Sequence, residues 1–251
     1  MDIDKDIKDE VGIVLSSVDF KETSKIIRVL TENNGLLSIM VQGAKKSNSK
    51  NRNLAENFVK GSFNLSSGKN MYYLKDGSIL NMNLGLRKNI KKIYLAYFFS
   101  DLVLRSVLEN EKQREIFILL DNSLQKLSES NELIKLSTSF IFKLVSFLGY
   151  RPNLSMCSNC GTRKFTRMYF SSKNGGILCN ECKSMDIDRV ELTKEEYRYI
   201  VDLIYSPIDD IEKINGVNEI KIHKLSLNFY LTSTENYNLK SQKPLKDLGM
   251  I

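Results

Sequence analysis

The sequence KIIRVLTENNGLLSIMV spans residues 25–41 and predicts two short β-strands joined by a tight turn. Residues 25–31 are rich in Val, Ile and Leu. Leu37, Ile39 and Val41 alternate toward one face, as in a half-buried strand. Asn33-Asn34-Gly35 separates the two runs, and Asn and Gly tolerate the positive φ that tight turns require. The stretch therefore predicts a β-hairpin.

Similar short runs lie on both sides of this hairpin. They occupy residues 11–15, 58–65, 71–75 and 78–82, with turn signals at Ser66-Ser67-Gly68 and Asp76-Gly77. Five or six short strands within about 75 residues are typical of a small barrel. The polar residues 44–53 lack apolar anchors, so we expect a mobile loop that orders on phosphate.

The pattern becomes helical after Gly85. Residues 92–109, 113–127 and 133–148 place apolar side chains at helical spacing, and Gly149 with Pro152 ends the third run. Thr193 and Glu196 form a capping-box pattern before a helix over 197–205, a break covers 207–216, and 219–230 predicts a last helix. We expect four parts: a nucleic-acid-binding barrel at 1–84, a helical domain at 85–152 and 191–251, and a cysteine-bearing insert at 153–190.

Four cysteines form the paired pattern Cys157-Ser-Asn-Cys160 and Cys179-Asn-Glu-Cys182. Two residues between ligands let one tight turn aim both sulfurs at one ion, and the spacing of the pairs is typical of zinc sites. Four thiolates close a tetrahedral shell, so the predicted zinc is structural. Disulfides, free thiols and an iron–sulfur cluster are the alternatives. The acidic first ten residues carry no export signal, which disfavours disulfides.

Charge and composition favour contact with a polyanion. The 251 residues carry 37 Lys and Arg against 30 Asp and Glu, a formal charge of +7. Residues 40–75 hold seven basic side chains and a single acid, Glu56. The apolar runs are far shorter than the roughly 20 residues of a membrane span. The lack of a phosphate-loop motif disfavours nucleotide hydrolysis. The single histidine, His223, disfavours a catalytic triad and is predicted to be a surface or packed residue, not a metal ligand or a base.

Several motifs in a fixed order carry a family resemblance. They are Leu30-Thr31 with Gly35, Gln42-Gly-Ala-Lys-Lys46, Phe147-Leu-Gly-Tyr-Arg-Pro152, Cys157-x₂-Cys160-Gly161, Gly175-Gly-Ile-Leu-Cys179-Asn-Glu-Cys182, and Leu239-Lys240-Ser241 with Leu245. In this order the chain resembles the RecO family of bacterial recombination mediators over nearly its whole length. The resemblance implies an α+β multidomain fold, with an N-terminal OB-fold β-barrel and then a helical domain carrying a Cys₄ zinc-ribbon-like insert.

The resemblance also implies a function without bond making. It implies binding of single- and double-stranded DNA, annealing of complementary strands, and loading of RecA onto DNA coated by single-stranded-DNA-binding protein. The implied partners are RecR, the C-terminal tail of single-stranded-DNA-binding protein and, indirectly, RecA. One structural zinc per chain, a cytoplasmic, nucleoid-associated location, no membrane partner and no enzymatic activity complete the expectation. Two alternatives remain: a metal-dependent nucleic-acid enzyme using Asp209-Asp210 or Asp186 with Asp188, and a zinc-ribbon transcription or translation interaction protein.

The candidate site residues are mostly cations. We predict DNA contacts by Arg28, Lys45, Lys46, Lys50 and Arg52 of the barrel, and by Lys88, Lys91 and Lys92 at the first helix. Tyr72 and Tyr73 are the main candidates for base stacking, with Phe20 and Phe63 behind them, and adjacent strand residues face opposite ways. Lys143 and Arg151, beside the apolar faces of residues 133–148, are predicted to hold an acidic protein tail. The acidic leader, residues 1–10, is expected to interfere with DNA contact or to regulate it.

Overall fold

The computed structural model describes residues 5–249. Its first part is a barrel of five strands, β1 (Ile7–Phe20), β2 (Ser24–Thr31), β3 (Gly35–Val41), β4 (Lys60–Ser66) and β5 (Tyr72–Asn81). The strands close in the order β1-β2-β3-β5-β4, in which β3 and β5 run parallel and the other neighbours antiparallel. The predicted OB-like barrel is confirmed.

Alternate side chains of the predicted hairpin fill the barrel. Ile27 and Val29 of β2 share one buried cluster with Leu37, Ile39 and Val41 of β3. The turn between the strands closes on Gly35, whose φ of +70° lies in the left-handed region. The hydroxyl of Thr31 donates to the Gly35 carbonyl at 2.8 Å and accepts from the Asn34 N–H at 3.1 Å. The hairpin is therefore confirmed in both its alternation and its turn.

Two predictions about the barrel are wrong. Asp76-Gly77 is not a turn, because β5 is continuous from Tyr72 to Asn81. A Cβ on Gly77 would lie 2.5 Å from the Ser62 carbonyl oxygen of β4, so the glycine serves close strand approach. The loop over residues 44–53 is also not without anchors. Ala44 at its start, and Leu54 and Ala55 just after its end, are buried in the barrel core.

Two helices follow the barrel, α1 (Ile90–Ser106) and α2 (Arg114–Glu129). The chain forms two compact units, one up to Ser128 and one from Glu129, and both helices belong with the barrel apart from the last residue of α2. Lys60 of β4 pairs with Asp121 of α2 at 2.6 Å, and both side chains are mostly buried. The four-part division at residues 84, 152 and 190 stays a prediction.

The second unit joins a small sheet to three longer helices. The helices are α3 (Leu133–Phe147), α4 (Lys194–Tyr205) and α5 (Glu219–Thr234). The sheet has the order β7 (Gly176–Leu178), β6 (Met168–Ser171), β8 (Val190–Leu192). Phe170 of β6 packs edge-on against Phe229 of α5 with ring centroids 5.4 Å apart, and Phe142 of α3 lies 6.4 Å from Phe170. The insert therefore has its own sheet and is joined to the helical core through aromatic packing.

The helix ends follow the predicted signals closely. Gly149 has a φ of +93°, and the Tyr150 N–H donates to the Val145 carbonyl at 2.8 Å, which ends α3 as expected. Both hydrogen bonds of the Thr193–Glu196 capping box are present, so α4 begins at Lys194. The sequence did not predict α6 (Gln242–Asp247). No helix within residues 5–249 is long and apolar enough to cross a bilayer.

Candidate metal centre and nucleic-acid interface

The four cysteines meet at one point of the second unit. Cys157 and Cys160 lie before β6, and Cys179 and Cys182 lie after β7. Their four Sγ atoms all lie within 4.8 Å of one another, and those of Cys160 and Cys179 are 3.8 Å apart. With zinc–sulfur bonds of about 2.3 Å, the edge of a tetrahedral Cys₄ shell measures about 3.8 Å. The donor set and its spacing therefore fit a tetrahedral four-sulfur metal site.

Local hydrogen bonds shape the two cysteine turns. The Gly161 N–H donates to the Cys157 carbonyl at 2.9 Å, and Gly161 has a φ of +74°. The Cys182 N–H donates to the Cys179 carbonyl at 3.2 Å, which closes the second turn. The sulfurs also accept bonds, from the Cys179 N–H to Cys157 Sγ at 3.4 Å and from Asn159 Nδ2 to Cys182 Sγ at 3.3 Å. Such bonds orient thiolates toward a shared ion.

The thiols differ in acidity. Burial raises the pKa of Cys157, but hydrogen bonds from the backbone N–H groups of Cys160, Cys179 and Asn159 outweigh it and lower that pKa to about 6. Burial, followed by a hydrogen bond with Glu181, raises the pKa of Cys179 to about 12. A bound divalent cation favours the thiolate form of every ligand, so both cysteines would be deprotonated when a metal is bound, despite their different pKa values.

Acidic side chains near the insert have other partners. Within the described residues, the cysteines are the only group of three or more His, Cys, Asp and Glu placed to share an ion. Asp186 is buried, accepts from the Ser171 hydroxyl at 2.6 Å and from the Asp188 N–H at 3.0 Å. Asp210 pairs with Lys213 at 2.6 Å. These acids shape turns, which disfavours the alternative of a carboxylate metal enzyme.

The basic loop, residues 42–52, leaves the end of β3. Lys46, Lys50 and Arg52 are exposed and have no ion-pair partner among residues 5–249. Lys45 differs, because it pairs with Asp19 at 2.8 Å, and this bond lowers the pKa of the Asp19 carboxyl. The structure thus leaves three of the predicted loop cations exposed and without an ion-pair partner among residues 5–249.

The remaining predicted cations of the first unit differ in availability. Arg28 pairs with Glu109 at 2.9 Å. Lys88 and Lys91 are exposed where α1 begins, as expected. Lys92 is a correction: it is 7% exposed, and its ammonium donates to the Ser128 carbonyl at 3.0 Å. That bond ties α1 to α2, so Lys92 has no free charge for DNA.

The aromatic candidates also separate by burial. Tyr72 belongs to the barrel core, where burial raises the pKa of its hydroxyl, so the stacking prediction for Tyr72 is corrected. Phe63 is fully buried in the same core. Tyr73 faces the opposite way and is 38% exposed, while Phe20 carries Lys21 over its ring at 5.4 Å. Tyr73 is therefore the member of the pair that a base can reach.

Lys143 is a further correction. Its ammonium donates to the Ile204 and Ser206 carbonyls at 2.6 and 2.7 Å, where α4 ends. Burial lowers its pKa to about 8. Lys143 therefore caps a helix C-terminus and is not free for an acidic tail. Arg151 is exposed, and its guanidinium lies 5.8 Å from the centre of the Tyr205 ring.

A groove lies beside α5, and we call it the α5 groove. The sequence did not reveal it. Its cavity measures about 510 Å³ and is lined by Val190, Ile220, Lys221, Lys224, Leu225 and Asn228, among others. Ile220 is 50% exposed and Lys224 is exposed, whereas Lys221 pairs with Glu196 at 2.6 Å. The groove is lined by residues of β8 and of α5, which are far apart in the sequence. No local sequence pattern could therefore predict it. Sequence reasoning also missed Arg87, which lines a polar cavity of about 450 Å³ with Arg52 of the basic loop.

The described part of the acidic leader is fixed to the barrel. Asp6 accepts from the Ser67 N–H at 2.9 Å and pairs with Lys75 at 2.6 Å. Glu10 is 5% exposed and accepts from the Asn33 N–H at 2.7 Å and from Asn34 Nδ2 at 2.8 Å. These acids stabilise the barrel, and the predicted interference with DNA stays a prediction. Residues 1–4 of the leader lie outside the described residues.

Comparison with known families supplies the identification. A family model described as recombination protein O N terminal matches residues 6–83, and one described as recombination protein O C terminal matches residues 87–243. The chain belongs to the recombination protein O family. The recombination protein O N-terminal model coincides with the five-stranded barrel. The C-terminal model begins with α1, so it includes two helices that pack in the compact unit of the barrel.

Members of the recombination protein O family resemble the chain over most of its length. The DNA repair protein RecO of Thermoanaerobacter sp. strain X514 is 29% identical over 242 residues, covering 94% of this chain and 96% of the relative. The DNA repair protein RecO of Bacillus subtilis strain 168 is 26% identical over 238 residues, covering 94% and 93%. That of Exiguobacterium sp. strain ATCC BAA-1283 / AT1b is 30% identical over 168 residues, covering 67% of each.

Proposed function

We propose that this chain is a DNA repair and homologous recombination mediator without catalytic chemistry of its own. It binds single- and double-stranded DNA, anneals complementary strands, and helps load RecA onto DNA coated by single-stranded-DNA-binding protein. RecR is proposed as a further protein partner, beside single-stranded-DNA-binding protein. The observation that carries the proposal is the basic loop of an OB-like barrel in a member of the recombination protein O family. Lys46, Lys50 and Arg52 project there without acidic partners.

Physical reasons connect this loop with annealing. Two approaching strands repel through their phosphates, and unpaired cations reduce that repulsion while base pairing supplies the sequence specificity. Tyr73 lies on β5, which neighbours β3, and β3 leads into the basic loop. OB-folds bind single strands by combining such aromatic faces with a cationic groove.

The four-cysteine site holds a structural zinc in this proposal. Zinc would bind Cys157, Cys160, Cys179 and Cys182, and four thiolates leave no open position for substrate. When bound, it would hold together the turns on either side of the β6–β7 hairpin. No step of annealing passes through it.

The acidic tail of single-stranded-DNA-binding protein is proposed to bind in the α5 groove. An acidic peptide needs an apolar pocket with a free cation at its edge. Ile220 and Leu225 supply apolar surface, and Lys224 supplies a charge that no acid among residues 5–249 pairs with. Lys143, which the sequence favoured, is engaged with two carbonyls.

DNA binding is tested by the dependence of affinity on salt. We expect little sequence preference and, for about four neutralised phosphates on a single strand, a log K against log salt slope near −3. A Lys46→Ala, Lys50→Ala, Arg52→Ala variant should flatten this slope by about two, because three phosphate contacts are lost. A Lys194→Ala, Arg198→Ala, Lys240→Ala variant removes equal charge elsewhere and serves as control. An unchanged slope in the folded loop variant excludes the loop from the DNA site.

Tail binding is tested by anisotropy with a labelled acidic peptide ending in Phe. The full chain is used, because α1 and α2 pack with the barrel and a fragment starting at residue 85 would lose that support. Lys224→Glu with Ile220→Glu should weaken binding at least tenfold, and Arg151→Glu should not. If Arg151→Glu weakens binding and the α5-groove variant does not, the tail binds near Arg151, as the sequence suggested.

A further inference from the structure

Two cavities adjoin in the first unit, close to the basic loop. One, the aromatic cavity, measures about 310 Å³ and is lined by Asn57, Phe58 and Tyr97 among others. The other, the polar cavity, measures about 450 Å³ and is lined by Ser47, Ser49 and Arg52 among others. Glu56, Met82 and Arg87 line both cavities, so they form one cleft with two compartments.

The aromatic cavity has the chemistry that a nucleobase requires. Phe58 and Tyr97 meet edge to face with centroids 4.7 Å apart, and Tyr97 remains 42% exposed. Asn57 Nδ2 donates to the Tyr97 hydroxyl at 3.0 Å, while Asn57 Oδ1 is buried with no hydrogen-bond partner in the described residues. An unpaired buried acceptor is costly, and every nucleobase carries an N–H donor on its pairing edge. The cavity therefore offers an aromatic surface at Tyr97, and the unpaired Asn57 acceptor lies buried in its wall.

The polar cavity has the chemistry that a phosphate requires. Arg52 and Arg87 have no ion-pair partner within residues 5–249, and Ser47 and Ser49 add hydroxyl donors. Its single carboxylate, Glu56, pairs with Lys25 at 2.9 Å, so its charge is already balanced. Guanidinium and hydroxyl groups are the usual phosphate ligands on proteins.

The wall of the aromatic cavity is held in place by the barrel. The Phe58 N–H donates to the Val14 carbonyl at 2.8 Å, and Phe58 has a φ of +69°. Asn83 Nδ2 donates to the Phe58 carbonyl at 2.8 Å, and Asn83 itself has a φ of +49°. Residues held in this uncommon region need surrounding bonds to fix them. The cleft is thus preorganised.

We propose that this cleft holds one nucleotide of a single-stranded DNA, with its base against Tyr97 and its phosphate on Arg52 and Arg87. The proposal rests on the DNA binding proposed above and adds to it a base-recognising position. A free mononucleotide presents the same chemistry, so the experiment includes one.

The test compares a dT₁₂ oligonucleotide with an abasic dodecamer of equal charge, using anisotropy at fixed salt. The full chain should bind dT₁₂ about tenfold more tightly than the abasic strand, the usual effect of one stacked base. Tyr97→Leu should lower this ratio severalfold, to the part that stacking on Tyr73 supplies, and leave abasic binding unchanged. Tyr97→Phe keeps the ring and should keep the ratio. Tyr237→Leu, a change at an exposed tyrosine in the second unit, is the matched control.

The phosphate compartment has its own variant. Arg87→Ala should weaken both strands and reduce the salt slope by about 0.7, whereas Arg198→Ala should do neither. Equal dT₁₂ and abasic affinities in the wild-type chain, or an unchanged ratio in folded Tyr97→Leu, would overturn the nucleotide site while leaving DNA binding intact. A third outcome is that dAMP binds, that Tyr97→Leu abolishes this binding, and that dT₁₂ does not bind. The ligand of the cleft would then be a free nucleotide and not a DNA strand. Failure of both oligonucleotides and dAMP would overturn both proposals.

Discussion

His223 is neutral in the folded protein near pH 7, and its hydrogen bond indicates which nitrogen carries the proton. The Thr138 hydroxyl donates its only hydrogen to the Ile134 carbonyl at 2.7 Å. At 3.1 Å from His223 Nδ1 it can therefore only accept, so the proton lies on Nδ1. The ring is 1% exposed, and burial lowers the pKa of His223 to about 4. The structure agrees with the predicted packed role, because this nitrogen binds a hydroxyl between α3 and α5.

This lowered pKa predicts a loss of stability in mild acid. The unfolded chain takes up a proton near pH 6.5, whereas the folded chain does not until about pH 4. The contribution is therefore complete above pH 6.5 and is lost as the pH falls toward 4, by roughly 2 kcal/mol at pH 5. Urea unfolding at pH 7 and pH 5 measures it.

His223→Asn is the matched variant, because it keeps an N–H donor near Thr138 but does not titrate. Its stability should be lower at pH 7, owing to lost packing, yet should fall less between pH 7 and pH 5 than that of the wild type. Because both chains keep the four cysteines, metal loss in acid affects both. An identical fall in both chains would show that His223 does not control this range.

At the scale of elements, the proposed zinc predicts how far the folding of the cysteine insert depends on a metal. Structural zinc in small modules contributes on the order of 10 kcal/mol to folding. Cys157→Ser or Cys179→Ser should lower the zinc content from one per chain to well below one and lower the melting temperature, but leave the salt slope of DNA binding unchanged. Elemental analysis and thermal melts check this, with Ser184→Ala, an exposed position in the same insert, as control. Folded, reduced wild-type protein without zinc would contradict the site.

Elements were predictable where their signals are local. The capping box of α4, the Gly149 end of α3 and the Gly35 turn each depend on residues within five positions of one another. Asp76-Gly77 carries an equally local turn signal, but β4 packs so close that the glycine is needed inside a strand. Tertiary contact decided that element, and no local pattern could reveal it.

At the scale of the whole molecule, the sequence predicted the kinds of site better than their members. The cluster of four cysteines was predictable because two paired spacings bring four sulfurs to one point. Lys92 and Lys143 carry the same charge as Lys46, but their ammonium groups bind carbonyls on distant segments. Arg87 and the α5 groove depend on which segments meet, and that follows only from the three-dimensional fold.

The central claim is that charge on the basic loop brings DNA strands together without chemistry. The most direct measurement is the rate at which complementary oligonucleotides anneal, followed by fluorescence quenching without ATP or Mg²⁺, on strands coated with single-stranded-DNA-binding protein. The account predicts that the wild-type chain accelerates annealing several-fold or more. The Lys46→Ala, Lys50→Ala, Arg52→Ala variant should approach the uncatalysed rate, and the Lys194→Ala, Arg198→Ala, Lys240→Ala control should match the wild type. No acceleration by folded wild-type protein, or equal acceleration by the loop variant, would contradict it.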